Sequence, residues 1–488
     1  MTDPNHPVLV AACELANQTA DAEPVAMMAE AAEVALATVP GITGSVSLVG
    51  AVKGINPYVD PAQLVAEQLG LSDVETAYTP IGGNAPYDLL NDTAGRIAAG
   101  EIRAAVLCGA ETMRTRRKDK AAGRKSPYQT EQGSTPDYVV GSNAELTSPA
   151  DVAAGVALPA NFYAMAESAL RHRADRSNGD HLSHIANLWA SASQVAAQNP
   201  HARLGEELDA ATIATPGPKN RRIAAPYTKL LTSNVDVDQA AALVVCSYDA
   251  ATACGIPDNE MVFLLAGTGA SDALDIRSRL TLDRSNAMRI AGQRALELAG
   301  LTVTGIDYLD LYSCFPVAVQ VAQRELGIDA DVPFTITGGM TFAGGPFNTY
   351  CLQAAAHTFG LLQGTEQTAL LHGNGGYFTK ESFVVVSGSP PANPYRYERP
   401  QNAVDECATR PRSDELPSEA TIEAYTVTFD RGDQPVRAIL SVLDGFGSRH
   451  WAIDADPADI EAFLTVDVVG HRVSLTPTKA TPTARLTT

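Results

Sequence analysis

Short apolar runs alternate with alanine-rich amphipathic stretches along most of the chain. Buried β-strands are predicted at the apolar, β-rich runs 7–13, 104–109, 240–247 and 260–266. Helices are predicted at the amphipathic stretches 24–37, 84–99, 160–173, 180–198 and 285–299. Strands and helices that alternate in this way indicate a layered α/β architecture.

The helix at 84–99 is the most clearly marked of these elements. Asn84 is placed to cap it, Pro86 fits its first turn, and Gly100 ends it. A predicted strand and the glycine-rich turn 81–86 precede it, an arrangement typical of active sites. The turn nevertheless contains no Cys, Ser, His, Asp or Glu.

A weak internal repeat predicts that the fold is duplicated. The segment 335–363, "TITGGMTFAGGPFNTYCLQAAAHTFGLLQ", gives again a strand, paired glycines, a proline near a helix start and an alanine-rich helix. An apolar strand that ends in "HGNGG" follows it, as 84–99 is followed by "AAVLCGAETM". Two similar halves that meet at glycine-rich turns suit a duplicated α/β fold with one site between the halves.

Composition shifts predict further boundaries. Within a first half at 1–250, the region 114–220 is expected to be an insertion that covers or lines a site. The remaining units are a second half at 251–388, a Pro-rich linker at 389–418, a small OB-like antiparallel β-barrel at 419–477 and a disordered tail at 478–488.

Charge and composition exclude several classes of protein. Hydrophobic residues make up 45% of the 488 positions, so a packed core is expected. A net charge of −21 argues against nucleic acid or an anionic membrane as the main partner. No apolar run is long enough to span a membrane, and the N-terminal stretch lacks a secretory signal pattern. Seven dispersed cysteines without C-x-x-C pairs suggest reduced thiols in a cytoplasmic protein without a zinc site.

Six segments resemble the thiolase superfamily, most closely the sterol-carrier-protein-type thiolases, over residues 7–388. They are 97–113, 161–204, "RRIAAPYTKLL" at 221–231, "DYLDLYSCF" at 307–315, "GGMTFAGGP" at 338–346 and "HGNGG" at 372–376. The C-terminal barrel is similar to the extra domain of thiolase-like proteins type 1. The resemblance implies a duplicated thiolase fold, and an acetyl-CoA acetyltransferase-like place in lipid metabolism with coenzyme A as ligand.

The resemblance also locates the positions at which thiolases carry out catalysis. It places the nucleophilic cysteine at Gly83, the His of the Gly-His-Pro turn at Gly345, the second cysteine at His372 and the oxyanion residue at Tyr312. None of these four positions keeps the usual side chain. The rest of the candidate pocket consists of Gly82, Asn84, Ser313, Cys314, Gly344 and Asn374.

Several of these residues admit two interpretations. The turn at Asn84 either caps a helix or presents backbone N–H groups to an anion or carbonyl. His372 is either structural or a surviving acid/base, and Tyr312 either donates a hydrogen bond or fills space. Cys314 is either a small buried residue or a relocated nucleophile. The basic cluster at 114–125 is either a solvated loop or a grip for coenzyme A phosphates.

Two functions of different class follow. In the first, the protein lacks thiolase chemistry and binds an acyl-CoA or a lipid-like thioester. In the second, it is an active acyltransferase or condensing enzyme with His372 as acid/base and Asn84 or backbone amides as oxyanion hole. Neither requires a cofactor or a metal. Family analogy implies a homodimer, but Pro80 removes a ladder donor from the strand that pairs thiolase subunits, so a monomer is the alternative.

Overall fold

The computed structural model describes residues 2–16, 22–126, 128–131 and 133–487. Its helices are α1 (Pro24–Thr38), α2 (Pro61–Gln68), α3 (Ala85–Ala98), α4 (Met113–Ala121), α5 (Pro149–Ala154), α6 (Pro159–Arg173), α7 (Asn178–Gln198), α8 (Ala210–Ala214), α9 (Tyr248–Ala253), α10 (Asn286–Ala299), α11 (Pro316–Leu326), α12 (Gly339–Phe342), α13 (Tyr350–Leu362), α14 (Gln401–Asp405) and α15 (Pro457–Thr465). Short 3-10 helices lie at Pro40–Ser45, Lys229–Leu231, Asp258–Glu260, Ile276–Ser278, Val303–Gly305 and Phe347–Thr349.

The strands fall into two sheets. They are β1 (Pro7–Ala16), β2 (Val46–Ala51), β3 (Glu75–Tyr78), β4 (Ala104–Thr112), β5 (Tyr138–Val139), β6 (Arg222–Ala224), β7 (Tyr227–Thr228), β8 (Asp238–Ser247), β9 (Val262–Ser271), β10 (Tyr308–Asp310), β11 (Thr368–Gly375), β12 (Lys380–Ser387), β13 (Arg396–Glu398), β14 (Glu419–Phe429), β15 (Pro435–Leu443), β16 (Arg449–Asp454), β17 (Arg472–Thr476) and β18 (Thr483–Leu486).

The larger sheet repeats one strand pattern twice. In the first half the order is β2-β4-β8-β1, and in the second it is β10-β11-β12-β9. In both halves the first pair is parallel and the next two pairs are antiparallel. The halves join where β1 pairs with β9 through Val8↔Phe263 and Leu9↔Val262. The predicted duplication is therefore confirmed by topology.

Two buried helices occupy the middle layer. Helix α3 contacts strands of both halves, and α13 packs on α3, β1, β8 and β11. On the outer faces, α1 covers β4 and β8, while α10 covers β9 and β12. Helix, sheet, helix, sheet and helix layers result, as the resemblance implies.

The start of α3 differs from the prediction. Asn84 does not cap the helix, because its backbone is already helical at φ −75°, ψ −21° and its side chain makes no capping bond. Pro86 does occupy the first turn, and Gly100 follows the helix with φ 73°. In the second repeat, residues 335–337 are irregular and do not form the expected strand. The reason is that the Thr335 hydroxyl accepts hydrogen bonds from the backbone N–H groups of the turn that follows.

The C-terminal strands close into a five-stranded barrel. Its order is β15-β16-β18-β17-β14, and β14 pairs back onto β15. All pairings within it are antiparallel except β16 with β18, and α15 lies between β16 and β17. The barrel was predicted, but the prediction of a disordered tail at 478–488 was wrong. Strand β18 completes the ring, because without it the edges of β16 and β17 would stay unpaired.

The segment predicted as a linker is folded onto the second half of the larger sheet. Strand β13 pairs with β9, and α14 follows it. Arg449 of the barrel is buried and donates to Glu423 at 2.6 Å and to the carbonyl oxygens of Ile276 and Arg279 at 2.8 and 2.7 Å. Arg449 therefore anchors the barrel to the second half.

Across the residues that the structure describes, no helix is both long and apolar enough for a membrane crossing.

Candidate functional site

The glycine turn between β3 and α3 is held by the residues that lead into α13. The Gly82 N–H donates to Asn348 Oδ1 at 3.2 Å, and the Cys351 Sγ–H donates to the Gly83 carbonyl at 3.0 Å. The glycine-rich turns of the two repeats therefore meet at one place, as the sequence predicts. All of these residues are buried.

Tyr312 fills the space beside Gly83. A Cβ placed on Gly83 would clash with the Tyr312 hydroxyl and would lie 2.5 Å from the Asn374 carbonyl oxygen. Gly83 is not in the left-handed region, so space and not backbone conformation demands glycine here. The Tyr312 ring is 7% exposed and meets Tyr350 edge-on at 6.0 Å between centroids. Burial raises the pKa of Tyr312 well above its usual value. Of its two interpretations, the space-filling one fits this geometry.

His372 lies in a closed set of contacts. Its Nδ1 accepts the Tyr312 N–H at 3.4 Å, so the proton is on Nε2, which donates to Glu381 Oε2 at 2.8 Å. The ring stacks on Phe383 at 4.6 Å. Burial lowers the pKa of His372 to about 3 and raises that of Glu381 well above its usual value. A neutral ring with both nitrogens engaged fits the structural interpretation.

Ser313 and Asn374 each make one hydrogen bond within the fold, and Asn374 Oδ1 is buried without a partner among the described residues. Ser313 Oγ accepts the Met340 N–H at 3.1 Å, and Asn374 Nδ2 donates to the Tyr163 hydroxyl at 3.1 Å. Burial raises the pKa of the Cys314 thiol to about 12. The thiol is therefore protonated at neutral pH and is a weak nucleophile.

The turn at the Gly-His-Pro position packs against the loop before β8. Gly344, at φ 123°, lies close to the Gln239 side chain, and the Gly345 N–H donates to the Asn234 carbonyl at 2.9 Å. Ser233 of the same loop donates to the Cys314 carbonyl from its N–H and its hydroxyl, at 3.1 and 3.0 Å. Gly345 is thereby connected to Cys314 by a loop of the first half.

Sequence reasoning missed two charged residues beside the glycine turn. Asp88 accepts from Asn84 Nδ2 at 2.8 Å, and Lys380 Nζ donates to the Ile81 carbonyl at 2.8 Å. Burial raises the pKa of Asp88 to about 6 and lowers that of Lys380. The spacing of Asn84 and Asp88, one helical turn apart, could have indicated the first contact. Lys380 comes from the other half, so local sequence gave no signal for it.

The basic cluster is helical, which corrects the expected loop. It lies on α4 and the turn after it, where Arg117 pairs with Asp236 at 2.7 Å and Arg124 with Asp119 at 2.7 Å. In the described ranges, no three His, Cys, Asp or Glu side chains are grouped as a metal ion would need.

A cavity of about 470 Å³ lies between the insertion and the barrel. Side chains of α6, α7, β7, β14 and α15 line it, among them Tyr227, Tyr425, Phe429 and Phe463. Gly83 and Tyr312 do not. Its residues come from positions 167 to 464, so no local pattern predicted them. Helices α6 and α7 of the predicted insertion form part of its wall.

Residues 400–480 match the family model of the thiolase-like protein type 1 additional C-terminal domain. The whole chain superposes on a monomeric SCP2-thiolase-like protein type 1 from Mycobacterium smegmatis, at TM-score 0.85 and 25% identity, with full coverage of both chains. The resemblance to the thiolase-like proteins of type 1 is therefore confirmed. The chain also shares the thiolase fold with the dimeric peroxisomal thiolase of Saccharomyces cerevisiae, at TM-score 0.60 and 14% identity over 79% of this chain and 98% of that one.

Two curated relatives carry the name acetyl-CoA acetyltransferase. That of Methanocaldococcus jannaschii is 28% identical over 105 residues, which are 22% of this chain and 26% of the relative. That of Methanothermobacter thermautotrophicus is 26% identical over 162 residues, 30% of this chain and 42% of the relative. This thiolase-like protein therefore matches less than half the length of either relative.

Proposed function

We propose that this thiolase-like protein binds an acyl-CoA or a lipid-like thioester and does not carry out thiolase chemistry. The observation that carries the proposal is the contact of Tyr312 with Gly83. If Gly83 corresponds to the nucleophile of thiolases, a tyrosine hydroxyl occupies the place where an attacking thiolate would stand. Thiolase chemistry needs that thiolate, because the acyl group is carried on it.

The neighbouring groups support the same proposal. A relocated nucleophile at Cys314 would need a low thiol pKa, and burial gives it the opposite shift, to about 12. An acid/base role for His372 would need a free ring nitrogen near the substrate. Both of its nitrogens are engaged, with Glu381 and with the Tyr312 backbone. These contacts argue against the acyltransferase alternative.

The assembly that we propose is a monomer. Thiolase subunits pair through the strand before the nucleophile turn, which is β3 here. Its outer edge is covered by β5 of the same chain, through Ala77↔Tyr138 and Tyr78↔Val139. The Val140 N–H adds a bond to the Tyr78 carbonyl at 2.9 Å. A partly covered edge offers fewer donors and acceptors to a second subunit, and the relative from M. smegmatis is itself monomeric. The free cysteines support a reducing, cytoplasmic compartment.

The test combines chemistry with binding. The full chain is incubated with acetyl-CoA or acetoacetyl-CoA, and intact mass and thiolysis are followed together with calorimetric binding of dodecanoyl-CoA. We expect no acyl adduct, no thiolysis and a measurable binding isotherm. An adduct on Cys314, or thiolysis that His372→Ala abolishes, would establish the enzyme alternative instead. Absence of binding to any acyl-CoA or lipid would overturn the binding function.

A further inference from the structure

The cavity between the insertion and the barrel has apolar walls with one acidic and two basic side chains. Its walls are mainly apolar and aromatic, and its volume of about 470 Å³ lies within the ~300–1,000 Å³ typical of small-molecule sites. Tyr227 in its wall stacks on Phe315 at 5.4 Å, and Phe315 stacks on Tyr163 at 4.7 Å. Tyr163 bonds Asn374, next to the glycine turn. A layer of aromatic rings thus separates this cavity from the inherited thiolase turn.

The acidic side of the cavity is fully satisfied. Glu167, which is buried, accepts from His181 Nε2 and Gln320 Nε2 at 2.7 Å each and from the Tyr227 hydroxyl at 2.5 Å. Three donors on one carboxylate leave it little capacity to bind a further cation or donor. Glu167 therefore stabilises the wall of the cavity, and the ligand preference has to come from other groups.

The basic side retains unused hydrogen-bonding capacity. The Arg171 side chain is 5% exposed, and its Nη2 donates to Asp467 at 2.6 Å and to the Tyr425 hydroxyl at 3.2 Å. Its Nε is buried without a hydrogen-bond partner in the described part of the chain. A buried guanidinium N–H without an acceptor is costly, so an anion in the adjoining cavity would be favoured by the charge of Arg171.

A second guanidinium lies at the rim of the cavity. Arg222 of β6 lies over the Phe429 ring at 5.2 Å, and its Nε is 3.8 Å from Asp433, too far for a hydrogen bond. Its side chain is 44% exposed, so its planar donors can reach an incoming ligand. Two arginines therefore line the cavity, whereas the one carboxylate that lines it, Glu167, already accepts three hydrogen bonds. This local excess of basic groups contrasts with the net charge of −21 of the whole protein.

We propose that this cavity binds an amphipathic monocarboxylate of the medium-chain fatty-acid class. The alkyl body lies against Tyr227, Phe429 and Phe463, where burial of apolar surface drives binding. The carboxylate accepts from Arg222 at the rim, since guanidinium and carboxylate match in geometry, and the positive charge of Arg171 lies in the wall of the same cavity. This inference deepens the proposed binding function and rests on it. It moves the ligand from the inherited thiolase turn to a site that the insertion and the barrel build together.

The experiment titrates the full chain with dodecanoate and, separately, with dodecanoyl-CoA in a calorimeter. Arg222→Met removes the rim cation, and Ala214→Trp fills the cavity from α8. Arg103→Met is the matched control, because Arg103 is an exposed arginine paired with Asp249 and does not line the cavity. We expect dodecanoate to bind the wild type, with an affinity about tenfold weaker in each of the two cavity variants and unchanged in the control.

The outcomes separate this inference from the function on which it rests. Binding of dodecanoyl-CoA without binding of dodecanoate would overturn the fatty-acid site and leave the proposed function standing. The same holds if dodecanoate binds equally well to the wild type, Arg222→Met and Ala214→Trp. Failure of both ligands to bind would overturn the proposed function as well. Circular dichroism identifies a misfolded Ala214→Trp, in which case Arg222→Met alone decides.

Discussion

The hydroxyl of Tyr312 occupies the volume that any side chain on Gly83 would need. The two residues come from opposite halves of the duplicated fold, one from the turn before α3 and the other from the segment after β10. Substitution of either residue therefore has consequences for the other. A glycine at 83 permits the tyrosine, and the tyrosine prevents a larger residue at 83.

Gly83→Ala should destabilise the protein through this contact. Forcing a methyl group into a packed site costs about 1–3 kcal/mol. In a Tyr312→Ala background the cost should fall, with an interaction energy of about 1 kcal/mol or more across the double-mutant cycle. Some cost remains, because the Asn374 carbonyl oxygen is also 2.5 Å from the new Cβ. Urea unfolding of the wild type and the three variants measures the interaction energy.

The control for that cycle is Gly360→Ala. Gly360 lies on α13, is exposed, and has nothing near a Cβ placed on it. Alanine there should raise the free energy of unfolding by about 0.5–1 kcal/mol. Equal effects of alanine at 83 and at 360 would show that Tyr312 does not constrain the turn.

Alkylation of the native protein should modify the partly exposed cysteines and spare the buried ones. Cys13, Cys254 and Cys407 are partly exposed, whereas Cys314 is buried with its thiol pKa raised to about 12. Iodoacetamide should therefore modify the first three in mildly alkaline buffer and spare Cys314 until the chain unfolds. Peptide mass spectrometry over time checks this. Early alkylation of Cys314 would contradict the account of the site given above.

The stability of the protein should depend on the ionisation of Asp88. Burial raises its carboxyl pKa from 3.8 to about 6, so its neutral form is favoured in the folded state. The stability gained from that form is complete below the unfolded pKa and is lost as pH rises through about 6. The loss amounts to roughly 3 kcal/mol at alkaline pH.

Asp88→Asn should remove this dependence. The variant should gain free energy of unfolding relative to the wild type when pH rises from about 4 to about 8, and urea unfolding at both values measures the difference. Asp331→Asn, at an exposed carboxylate, is the control and should show no such gain. A difference between wild type and Asp88→Asn that does not change with pH would argue that Asp88 ionises freely in the fold.

The docking of the barrel should depend on Arg449. Its guanidinium is buried between Glu423 and two backbone carbonyls of the second half. Arg449→Met removes this donor from both carbonyls and leaves Glu423 with only Arg410 and Ser441, so it should cost about 3–5 kcal/mol. Arg472→Met removes an exposed pair with Glu419 and should cost at most about 1 kcal/mol. Equal denaturation midpoints for the two variants would refute the anchoring role of Arg449.

The edge of β3 should decide the oligomeric state. Wild-type protein is expected to scatter light as a monomer throughout a concentration series. Val140→Pro removes the N–H that bonds the Tyr78 carbonyl, so it should open the edge and produce concentration-dependent dimers. Val139→Thr changes an exposed side chain of β5 and should leave the monomer intact. A wild-type dimer would overturn the proposal directly.

The pattern of apolar positions predicted the central elements well. The strand expected at 240–247 is β8, and the helix expected at 84–99 is α3. Both are long segments buried in the layers, where the period of the side chains reports directly on burial. Errors fell where long-range pairing overrides local composition. Strand β18 lies in a polar, threonine-rich tail and pairs with β16 as well as with the preceding β17. Strand β13 lies in a proline-rich stretch and pairs with the distant β9.

The sequence by itself determined the duplicated fold and the presence of a barrel. Both follow from residue type and periodicity, which the chain carries locally. Tertiary structure alone decided that Tyr312 fills the space beside Gly83, that β5 covers β3, and that insertion and barrel enclose a cavity. Each of these depends on which distant segments share space, and steric exclusion acts between atoms brought together only by the complete fold.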